Sequence, residues 1–280
     1  MRRLALVLIL SCCPVLLMAG QYSDLYVIPV AGHVTGSDGS TWMSDVAIQN
    51  IQATPLTVQL VVIRSGEVVS DNVASLSTVT IPANGTRILR DVMSGMSQTL
   101  GAIMIGADRP FAVSSRAYNA NAAGATQGQS VTPLRDFLDN TLAASDLSNA
   151  TAFVAGLTSN SHYRTNLGFV AGSTFSGLTL DVTLRGADGT ALGTRRFSIP
   201  ANGFEHVQFS STSVATQAFD EASATYRIVS GSGTVAPYAS VVDNLSGAAF
   251  FIGGQFPPNA PFPSSTTVFR TLFEQMRIAQ

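Results

Sequence analysis

The chain of 280 residues is long enough for two modest cores, yet only 11% of its residues are charged and its formal net charge is −2. The chain has arginine but no lysine, and its arginines are dispersed among a slightly larger number of carboxylates, so there is no basic stripe to neutralise nucleic-acid phosphates. The three histidines, His33, His162 and His206, have no second histidine or cysteine at metal spacing, so neither a metal site nor a cofactor is expected.

Met1-Arg2-Arg3 precedes an apolar run from Leu4 to Ala19, and the small pair Ala19-Gly20 is followed by the polar Gln21 to Asp24. This is the pattern of a signal peptide over residues 1–20, which places the protein in the periplasm, the cell envelope or the medium. Cleavage there removes two arginines and takes the net charge from −2 to −4, and it also removes Cys12 and Cys13, leaving no disulfide. A lipoprotein box ending at Cys12 is the weaker alternative, because the apolar stretch Val15 to Met18 would then open the mature chain.

Tyr26 to Val30 reads as a short strand, and Gly36 to Thr41 as a loop. Trp42 to Asn50 leads into the alternating, β-branched Thr57 to Ile63, with a hairpin expected at Ser65-Gly66. A strand from Ser77 enters the turn Ile81-Pro82-Ala83-Asn84-Gly85, and Arg87 to Leu89 leaves it. Proline fixes one backbone angle and Asn-Gly accepts positive φ, so this segment reverses the chain. Asp91 to Met96 reads as one or two helical turns. Ala102 to Ile105 and Phe111 to Tyr118 return to strand, with a turn expected at Ala107 to Pro110.

The same turn recurs as Ile199-Pro200-Ala201-Asn202-Gly203, 118 positions on. Around it the order of the first half is repeated: Val154-Ala155-Gly156 answers Val30-Ala31-Gly32, Tyr163 to Leu167 answers Trp42 to Val46, and Ser240 to Asn244 answers Ser115 to Asn119. Asp188-Gly189 marks a hairpin, and Ala224 to Val229 with Ala236 to Val242 is expected to form a closing strand pair. The fold expected is all-β: two tandem immunoglobulin-like β-sandwich units over residues 21–133 and 150–256, joined by a linker at 134–149. After a Pro-rich segment, residues 257–280 end in a short helix. Phe269, Leu272, Phe273 and Met276 recur there at helical spacing and offer an interaction stripe, the one expected route to membrane contact.

Five motifs carry a resemblance. They are Trp42-Met43-Ser44-Asp45-Val46, Thr80-Ile81-Pro82-Ala83-Asn84-Gly85-Thr86, Ser115-Arg116-Ala117-Tyr118-Asn119, Arg164-Thr165-Asn166-Leu167-Gly168 and Tyr238-Ala239-Ser240-Val241-Val242-Asp243-Asn244. Through them the chain resembles bacterial exported tandem β-sandwich proteins of uncharacterised function. Ala107 to Arg116 is similar, more faintly, to the closing strands of sensory rhodopsin transducer sandwiches. The resemblance implies a fold and carries over no catalytic residue.

Aligning the halves predicts an ion pair in each, with polarity exchanged: Asp45 with Arg116, and Arg164 with Asp243. Trp42, Tyr118, Tyr163 and Tyr238 are expected to pack the cores, although exposed rings would stack on sugars. The leading functional expectation is a non-enzymatic exported binding, adhesion or structural module that uses sandwich edges and loops on a protein or glycan partner of the envelope. The alternative is an extracellular hydrolase acting on polysaccharide or peptide, with carboxylates converging from separate strands. A pilus-chaperone-like role lacks a basic anchor motif.

Overall fold

A computed structural model describes residues 22–36, 39–69, 76–96, 98–120, 126–135, 142–143 and 151–255. The expected signal peptide, most of the expected linker and the tail 257–280, with Phe269, Leu272, Phe273 and Met276, lie outside the described residues. Within them the chain is all-β: strands hold most of the residues, no α-helix occurs, and one 3-10 turn spans Ser211–Ser213.

In chain order the strands are β1 (Ser23–Thr35), β2 (Thr41–Gln49), β3 (Leu56–Arg64), β4 (Val68–Val69), β5 (Leu76–Ile81), β6 (Thr86–Leu89), β7 (Thr99–Ala120), β8 (Thr126–Val131), β9 (Leu134–Arg135), β10 (Leu142–Ala143), β11 (Thr151–Ser159), β12 (Tyr163–Arg185), β13 (Ala191–Ile199), β14 (Phe204–Ser210), β15 (Phe219–Asp243) and β16 (Ala249–Gly253). They form two eight-stranded antiparallel sheets. In the first, the long strand β7 pairs with β1, β3, β2 and β8. In the second, β15 pairs in the corresponding places with β11, the two halves of β12, and β16. β5 lies on β3 and β6 on β2, as β13 and β14 lie on the two halves of β12.

The two Pro-Ala-Asn-Gly turns occupy matching positions, between β5 and β6 and between β13 and β14. Asn84 and Asn202 both sit at φ 53°, and the Gly85 and Gly203 amides donate to the carbonyls of Pro82 and Pro200 at 2.9 and 3.2 Å. Asparagine fits because it tolerates the left-handed region at the third position of a tight turn better than most residues with a side chain.

Several local expectations are corrected. Ala107 to Pro110 does not reverse the chain, because β7 runs straight through it. β3 stops pairing at Ala107 and β2 begins at Ala112, so the amide that Pro110 lacks falls where no ladder bond is required. Likewise, 224–229 and 236–242 are one strand, β15, and both lie on β12 instead of on each other. Gly231, at φ 82°, bends that strand where a Cβ would meet the Gly177 carbonyl at 2.1 Å. Asp91 to Met96 forms two short turns, closed by Ser94 N to Asp91 O and Met96 N to Met93 O at 2.8 Å each. The Ser65-Gly66 segment turns, but β4 then crosses to pair with β14 of the second sheet.

That crossing accompanies a packed junction. One apolar cluster fills the first sheet system around Ile28, Val46, Ile103 and Phe111, and a second fills the other around Phe169, Leu180, Val182 and Tyr226. A third joins Leu25, Val27, Val61, Ile63 and Met104 to Val170, Phe204 and Ala236, so the outer face of one sheet is buried on the other. Strands covered on both faces lose the apolar–polar alternation, which explains the unbroken buried run from Leu25 to Ala31 in β1.

Candidate functional site

Strand parity places Asp45 on the outward face of β2, directly opposite Arg116 of β7. Asp45 Oδ2 accepts from Arg116 Nη2 at 2.8 Å, from its Nε at 3.2 Å and from Arg90 Nη1 at 3.2 Å. Oδ1 accepts from the Tyr118 hydroxyl at 3.0 Å and the Asp91 amide at 2.9 Å. Burial by itself would raise the Asp45 pKa, since the residue is only 5% exposed, but the Asp91 amide, the Arg116 guanidinium and the Tyr118 hydroxyl outweigh it and hold the carboxyl below the usual 3.8. Burial and the bond to Asp45 push Tyr118 upward, so its hydroxyl remains a donor. The Arg116 guanidinium carbon also lies 4.2 Å from the Tyr118 ring centroid. Beyond Asp91, His33 Nδ1 is 2.9 Å from the Asp91 carboxylate.

This network floors an open groove of about 670 Å³ bordered by Ile88, Ser114, Thr126, Gln127 and Ser130. Two guanidinia meet the one buried carboxylate of Asp45, with the Asp91 carboxylate beside it turned to His33; Arg90 and Arg116 side chains remain 69% and 46% exposed towards solvent.

The second expected ion pair does not form. Arg164 Nη1 donates to Asn244 Oδ1 at 2.9 Å, while Asp243 Oδ1 accepts from the Leu245 and Ser246 amides at 2.7 and 2.9 Å and caps its own turn. The register gives the reason: Tyr163 stands opposite Asp243, and Arg164 opposite Val242. The structural counterpart of Asp45 and Arg116 is Asn166 with Ser240, one place away from the alignment by sequence, and a one-residue slip turns a side chain to the other face. The second half instead carries Asp181 with Arg196, a cross-strand pair at 2.6 Å that sequence reasoning missed. These two residues lie symmetrically about the Asp188-Gly189 turn, so the hairpin register contained the signal.

Neither a protein-family model nor a curated protein matches the chain.

The remaining sequence candidates are structural or divided between roles. Pro82, Asn84, Gly85, Pro200, Asn202 and Gly203 form the matching turns already described. Tyr238 is fully buried, with its hydroxyl 2.7 Å from His206 Nε2 and 3.2 Å from Gln208 Oε1. Gly168 is required beneath it, since a Cβ there would lie 2.3 Å from the Tyr238 ring. His206 is completely buried, and burial depresses its pKa to about 3, so it stays neutral. Tyr163 is 40% exposed, and Trp42 borders a second, more enclosed cleft of about 360 Å³ where the two sheet systems meet. Arg90, Asp91, Gln129 and Gln208 had no marker in the sequence, because each acquires its role from a partner distant along the chain.

Proposed function

We propose that the chain is a non-enzymatic exported binding or adhesion module of two immunoglobulin-like sandwich units, and that it engages an acceptor-rich glycan of the envelope through the groove over Asp45. The observation that carries this reading is the convergence of Arg116 and Arg90 on the single buried carboxylate of Asp45. Asp45 fixes the two cations without neutralising both, and the surrounding serine, threonine and glutamine side chains suit hydroxyl-bearing partners. The matched strand pairings and twin turns support a duplicated unit, and the apolar N-terminal run supports export.

A hydrolase gains less support from this geometry. A general acid requires a raised pKa, whereas Asp45 is held ionised by its donors. The test is retention of purified protein on isolated envelope polysaccharide. Saturable binding that Arg90→Glu weakens severalfold, with the melting temperature lowered by no more than a few degrees, is expected. Absence of saturable binding, or release of soluble fragments from the polymer, would overturn the reading.

A further inference from the structure

The cleft between the two sheet systems has an unusual balance of donors and acceptors. Trp42 and Gln129 border it from the first, and Arg164, Asn166, Gln208 and Ser240 from the second. No acidic residue lines it among the described residues, and Arg164 is its charged group. Asn244 holds that guanidinium in place: its amide donates to the Ser161 carbonyl at 3.3 Å while its Oδ1 accepts from Arg164 Nη1 at 2.9 Å. Arg164 Nε and Nη2 have no partner among the described residues, and no ion pair there includes Arg164.

The two glutamines lean the same way. Gln129 Oε1 accepts from Ser240 at 3.0 Å and Gln208 Oε1 from Tyr238 at 3.2 Å, while both Nε2 donors have no partner among the described residues. Each acceptor is therefore occupied inside the protein, and each donor is left free on a residue that lines the cleft, Gln129 lining the Asp45 groove as well. A half-enclosed space with an uncompensated guanidinium, two free amide donors and an indole wall calls for a small anion that has both an apolar face and several oxygens. The volume suits a single sugar ring or a little more.

From this arrangement we infer that the cleft binds a carboxylate-bearing monosaccharide unit, a uronic acid, with the carboxylate on Arg164 and the ring against Trp42. The site adjoins the Asp45 groove, with Ala117 and Gln129 lining both, but its ligand contacts on Arg164 and Trp42 are its own, and it is tested apart from the reading given for that groove.

Trp42 is the one tryptophan in the chain, so emission excited selectively at the indole, beyond the absorption of the six tyrosines, reports on this cleft. Galacturonate and glucuronate are titrated into the full exported chain and compared with galactose and glucose, which share the ring but lack the carboxylate. The expected result is a saturable change in emission with the acids and affinity at least about tenfold weaker for the neutral sugars, the fold-change of one charge-assisted contact. Arg164→Gln should abolish the preference, and Arg164→Lys should restore part of it. No saturable change in the wild type, equal response to acid and neutral sugars, or full displacement of the uronate by equimolar acetate would each overturn the inference. The wild-type comparison needs no variant, so a poorly folding substitution leaves it decisive. Loss of polysaccharide retention in Arg90→Glu with an intact uronate response separates failure of one site from failure of the other.

Discussion

Replacing Asp45 with alanine tests whether the charge network over β2 and β7 holds the first sheet system together. The substitution leaves the Tyr118 hydroxyl and the Asp91 amide without their acceptor, in a place where Tyr118 is 9% exposed. Each orphaned donor costs about 1–3 kcal/mol when buried. The two arginines return to water, since both are substantially exposed, so their share is discounted to at most ~1 kcal/mol. A loss of about 3–4 kcal/mol is expected, in the lower part of the range for breaking a fully buried ion pair. At about 2–4 °C per kcal/mol for two sheet systems that unfold together through their shared apolar cluster, the midpoint falls by roughly 10 °C. Thermal and denaturant unfolding followed by circular dichroism would measure it. Asp45→Asn, which keeps Oδ1 as an acceptor but removes the charge, should recover about half of the loss. The sign with pH follows from a folded pKa lying below the unfolded one: the stabilisation is complete above the unfolded value of ~3.9 and disappears as pH falls through the folded value. A midpoint for Asp45→Ala within about 2 °C of wild type, or an asparagine variant as damaged as the alanine one, would refute the reasoning.

The twin turns should respond alike: Asn84→Ala and Asn202→Ala each cost about 1 kcal/mol, because alanine lacks asparagine's tolerance of the left-handed region, while the glycine variants are near neutral, and a large difference between the sites measured by denaturant unfolding would break the equivalence. His206 gives an acid-side prediction. Its folded pKa of about 3 lies below the unfolded value, so the unfolded chain takes up a proton first and stability falls by up to about 1.4 kcal/mol per pH unit between ~6.5 and 3. His206→Gln should flatten that slope relative to wild type, and parallel pH profiles would contradict the assignment.

The sequence by itself determined the features that depend on short-range chemistry. Alternating β-branched residues specify strands, and the two Pro-Ala-Asn-Gly segments specify turns that close with the same geometry, because proline, asparagine and glycine act on the backbone locally. Asp45 stood opposite Arg116 for the same reason: both lie within motifs whose parity can be read from the chain, and the register joins them. Tertiary structure decided what depends on register and burial. Arg164 and Asp243 missed each other by one residue, and in a sheet with period two that step places two side chains on opposite faces. Pro110 and the glycines near position 231 looked like chain reversals, because local signals do not reveal that neighbouring strands begin and end there, which lets a long strand bend and continue. The Trp42 cleft, the full burial of His206 and the crossing of β4 all arise where two sheet systems meet, and the distance along the chain between the partners hides such a meeting from any sequence window.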